Sequence, residues 1–105
     1  MRKAAIYRGG FFAGILTEED SYYSFRYDDD YFNNPQKPPV SLTLPKNKRE
    51  YQLEYMFPFF SNMIAEGANL AIQSRYLKID PKDTLSLLLA TCGSDTIGDV
   101  IVKEL

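Results

Sequence analysis

The spacing of apolar residues changes about halfway along this chain of 105 residues. In the first half, apolar and polar residues alternate, as in strands that bury one face. From Pro58 onward, apolar residues recur every three or four positions, as on one face of a helix. Strands followed by helices are typical of an α+β fold. We therefore expect one domain over residues 1–105, with an antiparallel, partly barrelled sheet of about five strands and about three short helices.

Short turn signals separate the expected strands. Gly9-Gly10 favours a two-residue hairpin, because both central positions of a type I′ turn need positive φ. Glu18-Glu19-Asp20 is a second polar turn. The alternation predicts five strands: Lys3–Arg8, Phe11–Thr17, Ser21–Tyr27, Val40–Leu44 and Ile97–Lys103. We expect the first three to form an antiparallel meander and the last to pair with it.

Capping signals place the helices. Pro58 suits the first turn of a helix, and Gly67 is interpreted as the residue just after that helix ends. Asp80 and Pro81 have the residue types of an N-cap and a first helical position. The three predicted helices are Pro58–Glu66, Asn69–Lys78 and Pro81–Thr91.

Residues and motifs of the common catalytic sites are missing from the sequence. The chain has no His, which excludes Ser-His and Cys-His triads and His metal ligands. It has no Gly-rich phosphate-binding loop. Cys92 follows a Leu-rich run and is interpreted as a buried structural thiol. We expect no enzyme activity, no catalytic residues, no cofactor and no metal.

Three consecutive carboxylates, Asp28-Asp29-Asp30, are the candidate for a cation site. A calcium loop needs ligands at alternating positions, a central glycine and a closing Glu, and this segment has Phe32 at the third position and no glycine. The favoured interpretation is a solvated strand end that leads into a helical turn near Tyr31-Phe32, where carboxylates are favourable.

Charge and composition limit the partners and the compartment. The formal net charge is -2, and the basic cluster consists of Lys46, Lys48 and Arg49 with Lys37 nearby. We interpret this cluster as a solvated loop, so direct binding of nucleic acid is disfavoured. The sequence has no apolar run of signal-peptide or membrane-span length, and its single cysteine cannot form an internal disulfide. These features predict a cytoplasmic location without membrane association.

Four stretches of the sequence form an ordered set of motifs. The first is Ile6–Leu16, which contains the Gly9-Gly10 turn, and the second is Tyr23–Asp28, similar to Y-x-F-x-Y-D. The third is Pro39–Pro45, similar to P-x-S-L-S-L-P. The fourth is Phe57–Gly67, similar to F-P-F-F-x-N-L-L-P-E-G, and it is followed by Gly93–Gly98, similar to G-x-D-x-x-G. Each pattern is short, but together they span nearly the whole chain. The chain therefore resembles the N-terminal subdomain of HipA-like toxin kinases, the segment that precedes the kinase core.

The resemblance implies a partner protein. A full-length HipA-like protein continues into its kinase domain, and this chain lacks the metal-holding Asp and phosphate-binding Lys of such a domain. It resembles the stand-alone form found in split systems, where a short protein is encoded beside a separate HipA-like kinase toxin and a helix-turn-helix antitoxin protein. There the short protein can act as the antitoxin. Two positions depart from the family: Ala65 replaces the usual proline, and Ala68 stands where the family often has a large residue.

The expected contact face lies between the first two helices. If Gly67 ends one helix and the next begins at once, the residues between them form a corner that can reach a partner's cleft. The predicted partner-binding residues are Asn62, Glu66, Gly67, Ala68 and Asn69. The alternative for the neighbouring apolar residues is that they are plain core, which applies to Phe57, Phe59, Phe60 and Met63.

Three functions remain open from the sequence. The preferred one is a regulatory subunit that binds and restrains a HipA-like serine/threonine kinase. The second is a DNA-binding or transcription-regulating partner in a toxin–antitoxin operon, because the first two helices superficially resemble a helix-turn-helix. Its second helix carries only Arg75 and Lys78 as bases, which argues against reading of a groove. The third is a small enzyme with an unusual site, which the absent motifs disfavour.

Overall fold

A computed structural model describes residues 1–64, 67–92 and 100–105. Within these residues the chain forms five strands and four helices. In chain order they are β1 (Arg2–Arg8), β2 (Phe11–Glu18), β3 (Tyr23–Tyr27), α1 (Asp29–Asn33), β4 (Glu50–Leu53), α2 (Pro58–Ser61), α3 (Gly67–Leu77), α4 (Thr84–Thr91) and β5 (Val100–Glu104). The α+β class is confirmed.

All strand pairs are antiparallel, and the sheet has the order β4-β3-β2-β1-β5. The sheet is open, with β4 and β5 at its edges. The predicted meander of β1, β2 and β3 is confirmed, and so is the pairing of the last strand with that meander, which occurs through β1; residues 97–99 of the predicted last strand lie outside the described residues. Gly9 and Gly10 have φ of 59° and 84°, as the hairpin turn requires.

The predicted strand at Val40–Leu44 is wrong. These residues lie in a loop, and the fourth strand is instead Glu50–Leu53, which pairs with β3. The hydroxyl of Tyr27 donates to the carbonyl of Leu44 and accepts the N–H of Val40 at 2.9 Å. Both loop residues are buried, so the alternation reflects two anchored side chains on either side of a turn, with Leu42 95% exposed at its tip.

Two predicted helix boundaries are also wrong. After Ser61 the backbone bonds tighten to the i→i−3 pattern, with Met63 donating to Phe60 and Ile64 to Ser61, so α2 is shorter than its apolar period suggests. The N-cap of the last helix is Asp83, because Asp80 and the proline after it form a separate turn that precedes the helix. Among the described helices, none combines the length and apolar character needed to cross a membrane.

One ion-pair network fixes the start of α4 against the sheet. Arg2 donates to both carboxylate oxygens of Glu18 at 2.7 and 2.9 Å and to Asp83 at 2.6 Å. Asp83 also accepts the backbone N–H of Ser86, at 3.3 Å, as the helix N-cap. The hydrogen bond from Arg2 lowers the pKa of Asp83 below its usual value.

The core lies between the sheet and the helices. Its largest fully buried members include aromatic residues of β3 and α2 and aliphatic residues of β1, β2 and α4: Phe25, Tyr27, Phe60, Ile6, Leu16, Leu85 and Leu88. Helix α3 lies between α2 and α4 in the chain; its Leu70 packs against this core, whereas its Ile72 and Tyr76 are exposed.

Candidate partner-binding surface

The aromatic residues around α2 belong mainly to the core. Phe57 and Phe60 are buried, and their rings meet edge to face with centroids 6.2 Å apart. Phe59 and Met63 are half-buried and pack against the same core cluster. The alternative interpretation of these residues as core is therefore correct for the first two, and α2 serves to anchor the segment that leads to α3.

The five predicted contact residues are only partly brought together. Asn62 is exposed as the C-cap of α2, and Asn69 is exposed in the first turn of α3. Glu66 lies outside the described residues. Gly67 begins α3, so its interpretation as the residue after a helix end is wrong. Ala68 follows it in the helix. The four described contact residues therefore mark the end of α2, at Asn62, and the first turn of α3, at Gly67, Ala68 and Asn69.

A group of exposed side chains on α3 extends this surface. Ile72 is 66% exposed and Tyr76 is 85% exposed. With Asn69 they have i, i+3, i+7 spacing, which places all three on one side of the helix. We call these three residues the α3 outer face. Isolated exposed apolar residues are common, but here a large aliphatic and an aromatic side chain are neighbours on one helix.

The opposite side of α3 explains why the outer face is open. Ser74 is buried, Leu70 and Leu77 are half-buried, and Leu70 packs against the core. These positions recur at i, i+4, i+7, so the helix already uses one apolar stripe for packing. The helical spacing of the sequence puts Ile72 and Tyr76 on one stripe and Leu70 and Leu77 on another, but the predicted contact residues did not include Ile72 or Tyr76. The available signal was a second apolar stripe on a helix that needs only one.

Features of a DNA-reading helix are weak in this region. Of the two bases assigned to the second predicted helix, Arg75 is exposed in α3. Lys78 lies beyond the end of α3 with a φ of 58°. There it occupies the left-handed position that follows a helix, and Ile79 donates back to Ser74 at 2.9 Å. One base on the helix gives little support for groove recognition.

The acidic run has structural partners. Asp28 is the N-cap of α1 and accepts the N–H of Tyr31 at 3.4 Å, and Asp29 pairs with Arg49 at 3.0 Å. The interpretation of this segment as the acidic start of a helical turn is confirmed. In residues 1–64, 67–92 and 100–105, no three His, Cys, Asp or Glu side chains are grouped as metal ligands would be. Cys92 is buried, as predicted.

Comparison with known proteins agrees with this architecture. The family model of the HipA N-terminal domain matches residues 4–103. An uncharacterized protein of Haemophilus influenzae is 28% identical over 104 residues, which cover 99% of this chain and 93% of that protein. The solved structure of the N-terminal domain of HipA toxin superimposes with a TM-score of 0.76 and 25% identity, covering 100% of this chain and 93% of the other. The chain belongs to the HipA N-terminal domain family.

Proposed function

We propose that this protein is a non-catalytic, antitoxin-like subunit that binds a separate HipA-like serine/threonine kinase and modulates its activity in the cytoplasm. Membership of the HipA N-terminal domain family supports the toxin–antitoxin context. The matched family domain is distinct from the kinase catalytic domain. The Haemophilus protein, matched over 93% of its length, is a relative of similar size. A helix-turn-helix antitoxin is a further partner in this proposal.

The α3 outer face carries the proposal. A domain that precedes a kinase core in one chain normally buries part of its surface against that core. When the domain is a separate chain, the same surface stays exposed until the partner binds. Ile72 and Tyr76 are exposed on a helix whose other side is already packed. Exposed tyrosines on a firm helix are frequent centres of binding energy, because they bury a large area and lose little conformational entropy.

One polar residue of this face and another at the end of α2 suit a role in orienting the partner. Asn62 and Asn69 are exposed at the end of α2 and the start of α3. Their amides can both donate and accept hydrogen bonds, which fixes the angle at which a partner docks. We expect Ile72 and Tyr76 to supply most of the binding free energy and the asparagines to supply specificity. Gly67 and Ala68, in the first turn of α3, remain proposed contacts, and so does Glu66, which lies outside the described residues.

The experiment measures binding to the kinase encoded beside this protein. The purified kinase is titrated with the parent chain, with Ile72→Ser/Tyr76→Ser, and with the control Tyr55→Ser. Tyr55 is 62% exposed and lies outside the α3 outer face. The double variant should bind about 30-fold or more weakly, because truncation of a central aromatic contact costs about 2 kcal/mol or more. The control should bind within about twofold of the parent.

Each outcome has a clear meaning. If the parent chain forms no complex with the kinase, the proposed function is wrong. If the parent binds and the double variant binds equally well, the function stands but the contact face lies elsewhere. The same samples are assayed for kinase activity with and without the subunit. An unchanged phosphorylation rate in the complex would contradict the regulatory role.

A further inference from the structure

A cavity of about 260 Å³ lies beside the β1–β2 turn. It is enclosed by the end of β1, the start of β2 and the segment that follows α1. The residues that determine its chemistry are Arg8, Phe11, Asn34, Gln36 and Lys37. In the sequence, Lys37 lies near the basic cluster that was interpreted as a solvated loop. The proposed function does not use this region.

Within residues 1–64, 67–92 and 100–105, both cations of the cavity lack an acidic partner. Arg8 is half-buried, and its guanidinium forms no hydrogen bond or ion pair within the part of the chain that the structure describes. Lys37 is half-buried, and its ammonium lies 3.0 Å from the centre of the Phe11 ring. No Asp or Glu is among the lining residues. Half-buried charges are normally paired, since partial loss of water destabilises an isolated ion.

A third cation sits behind the wall of the cavity and fixes its shape. The ammonium of Lys46 donates to the carbonyls of Asn34 and Lys37 at 2.6 and 2.8 Å. Burial lowers the pKa of Lys46, and the positive charge of Lys37 lowers it further. The positive charge on this side of the cavity is therefore unbalanced within the described residues.

Local turns hold the donors in place before any ligand arrives. Gly9 and Gly10, both at positive φ, end β1 abruptly and place Arg8 at the mouth of the cavity. Asn34 accepts the N–H of Gln36 at 3.0 Å through its side-chain oxygen, and the N–H of Lys37 bonds to its carbonyl at 3.1 Å. This arrangement leaves the amide nitrogen of Asn34 available as a donor. Donors held in position lose little entropy on binding.

We propose that this cavity binds the phosphate group of a phosphate monoester. A phosphate monoester carries about −1.5 to −2 charges at neutral pH. Such a ligand balances the two cations of the cavity better than a ligand with one carboxylate would. Guanidinium groups bind phosphate through two parallel hydrogen bonds, and an ammonium adds a point charge. The volume exceeds that of a single tetrahedral anion, so an organic substituent also fits beside the exposed ring of Phe11.

Isothermal titration calorimetry with O-phosphoserine tests the site, with serine, which lacks the phosphate group, as the comparison. The variants are Arg8→Gln and Lys37→Gln, and the matched control is Lys48→Gln. Lys48 is exposed on the same loop, outside the cavity lining, and its loss changes the net charge equally. We expect each cavity variant to weaken binding by about tenfold, because each removes a charge-assisted contact. The control should change affinity by less than about twofold, and serine should not bind.

Further arms identify the source of the phosphate and the outcomes that overturn the site. A peptide containing phosphoserine that binds tenfold tighter than the free amino acid would assign the phosphate to a protein side chain. Equal affinities would assign it to a small metabolite. Both results support the site. No detectable heat with O-phosphoserine would overturn the proposal. Equal weakening by Lys48→Gln would also overturn it, since diffuse charge would then explain binding. Circular dichroism confirms that each variant is folded.

Discussion

Replacement of Tyr27 by phenylalanine tests how the loop around Leu42 is held. The Tyr27 hydroxyl accepts the N–H of Val40 and donates to the carbonyl of Leu44, and these two loop residues are 1% and 2% exposed. Tyr27→Phe leaves a buried donor and a buried acceptor unpaired. Each unpaired group costs about 1–3 kcal/mol. Allowing for local relaxation, we expect the free energy of unfolding to fall by about 2–4 kcal/mol in urea titrations at neutral pH.

The pH dependence of the same variant gives an independent check. Burial raises the pKa of Tyr27 to about 12, against 10.0 for an exposed tyrosine, and the Val40 N–H opposes this only in part. Because the folded-state pKa is raised, the contribution is fully present below pH 10 and is lost as pH rises toward 12. A difference of this size between the folded and unfolded pKa corresponds to a few kcal/mol of stability. The stability gap between the parent and Tyr27→Phe should therefore narrow across this range.

The control for this experiment is Tyr55→Phe, which removes a hydroxyl from an exposed ring. It should alter stability by less than about 0.5 kcal/mol. If Tyr27→Phe lowers the free energy of unfolding by as little as the control does, the two hydrogen bonds do not hold the loop. The same conclusion follows if the stability difference between Tyr27→Phe and the parent does not change above pH 10.

Two further substitutions test the packing of the sheet and its link to α4. Gly14→Ala would place a Cβ 2.3 Å from the carbonyl oxygen of Arg26, so the backbone must shift. We expect the free energy of unfolding, measured by chemical denaturation, to fall by about 2–3 kcal/mol. A fall of less than about 0.5 kcal/mol would contradict the close approach. Arg2→Gln should cost about 1 kcal/mol at neutral pH, a figure discounted because Arg2 is partly exposed. Since Arg2 lowers the pKa of Asp83, this contribution is present above about pH 4 and is lost as pH falls through the lowered pKa of Asp83. A gap between parent and variant that is constant with pH would refute the link.

The elements that the sequence predicted correctly are those whose signals are local. The Gly9-Gly10 turn and the alternation on either side of it determine a hairpin without reference to the rest of the chain. The last strand is also predicted correctly in its pairing, because a central β1 needs a second neighbour and the C-terminal segment has the right alternation.

The errors occur where distant side chains decide the structure. Val40 and Leu44 alternate like a strand, yet the hydroxyl of Tyr27 holds their backbone in a loop. Glu50–Leu53 alternates polar and apolar residues over only four positions, with Tyr51 and Leu53 against the core, and its strand structure is completed by pairing with β3. Asp80 and Asp83 are equally good caps locally, and Asp83 is also the residue that Arg2 bonds.

The candidate surface shows the same division between local and distant information. The sequence places Asn62 and Asn69 near a helix start, and the structure agrees that both are exposed. The sequence also has two apolar stripes in the segment that forms α3. Which stripe faces the core depends on where α2 and α4 lie, so the exposure of Ile72 and Tyr76 could be assigned only from the folded chain.

The strand order has a consequence for biosynthesis. Among the described strands, β1 leaves the ribosome first, and one of its two neighbours, β5, leaves last. Throughout synthesis of the intervening residues, one side of β1 keeps unpaired N–H and C=O groups, which is the kind of edge that recruits other extended chains. Pairing of Ala4 with Glu104 joins residues that are almost a full chain length apart. This step is slow because closing so long a loop costs conformational entropy. A nascent chain stalled before Val100 should therefore be the species most prone to aggregate and most in need of a chaperone.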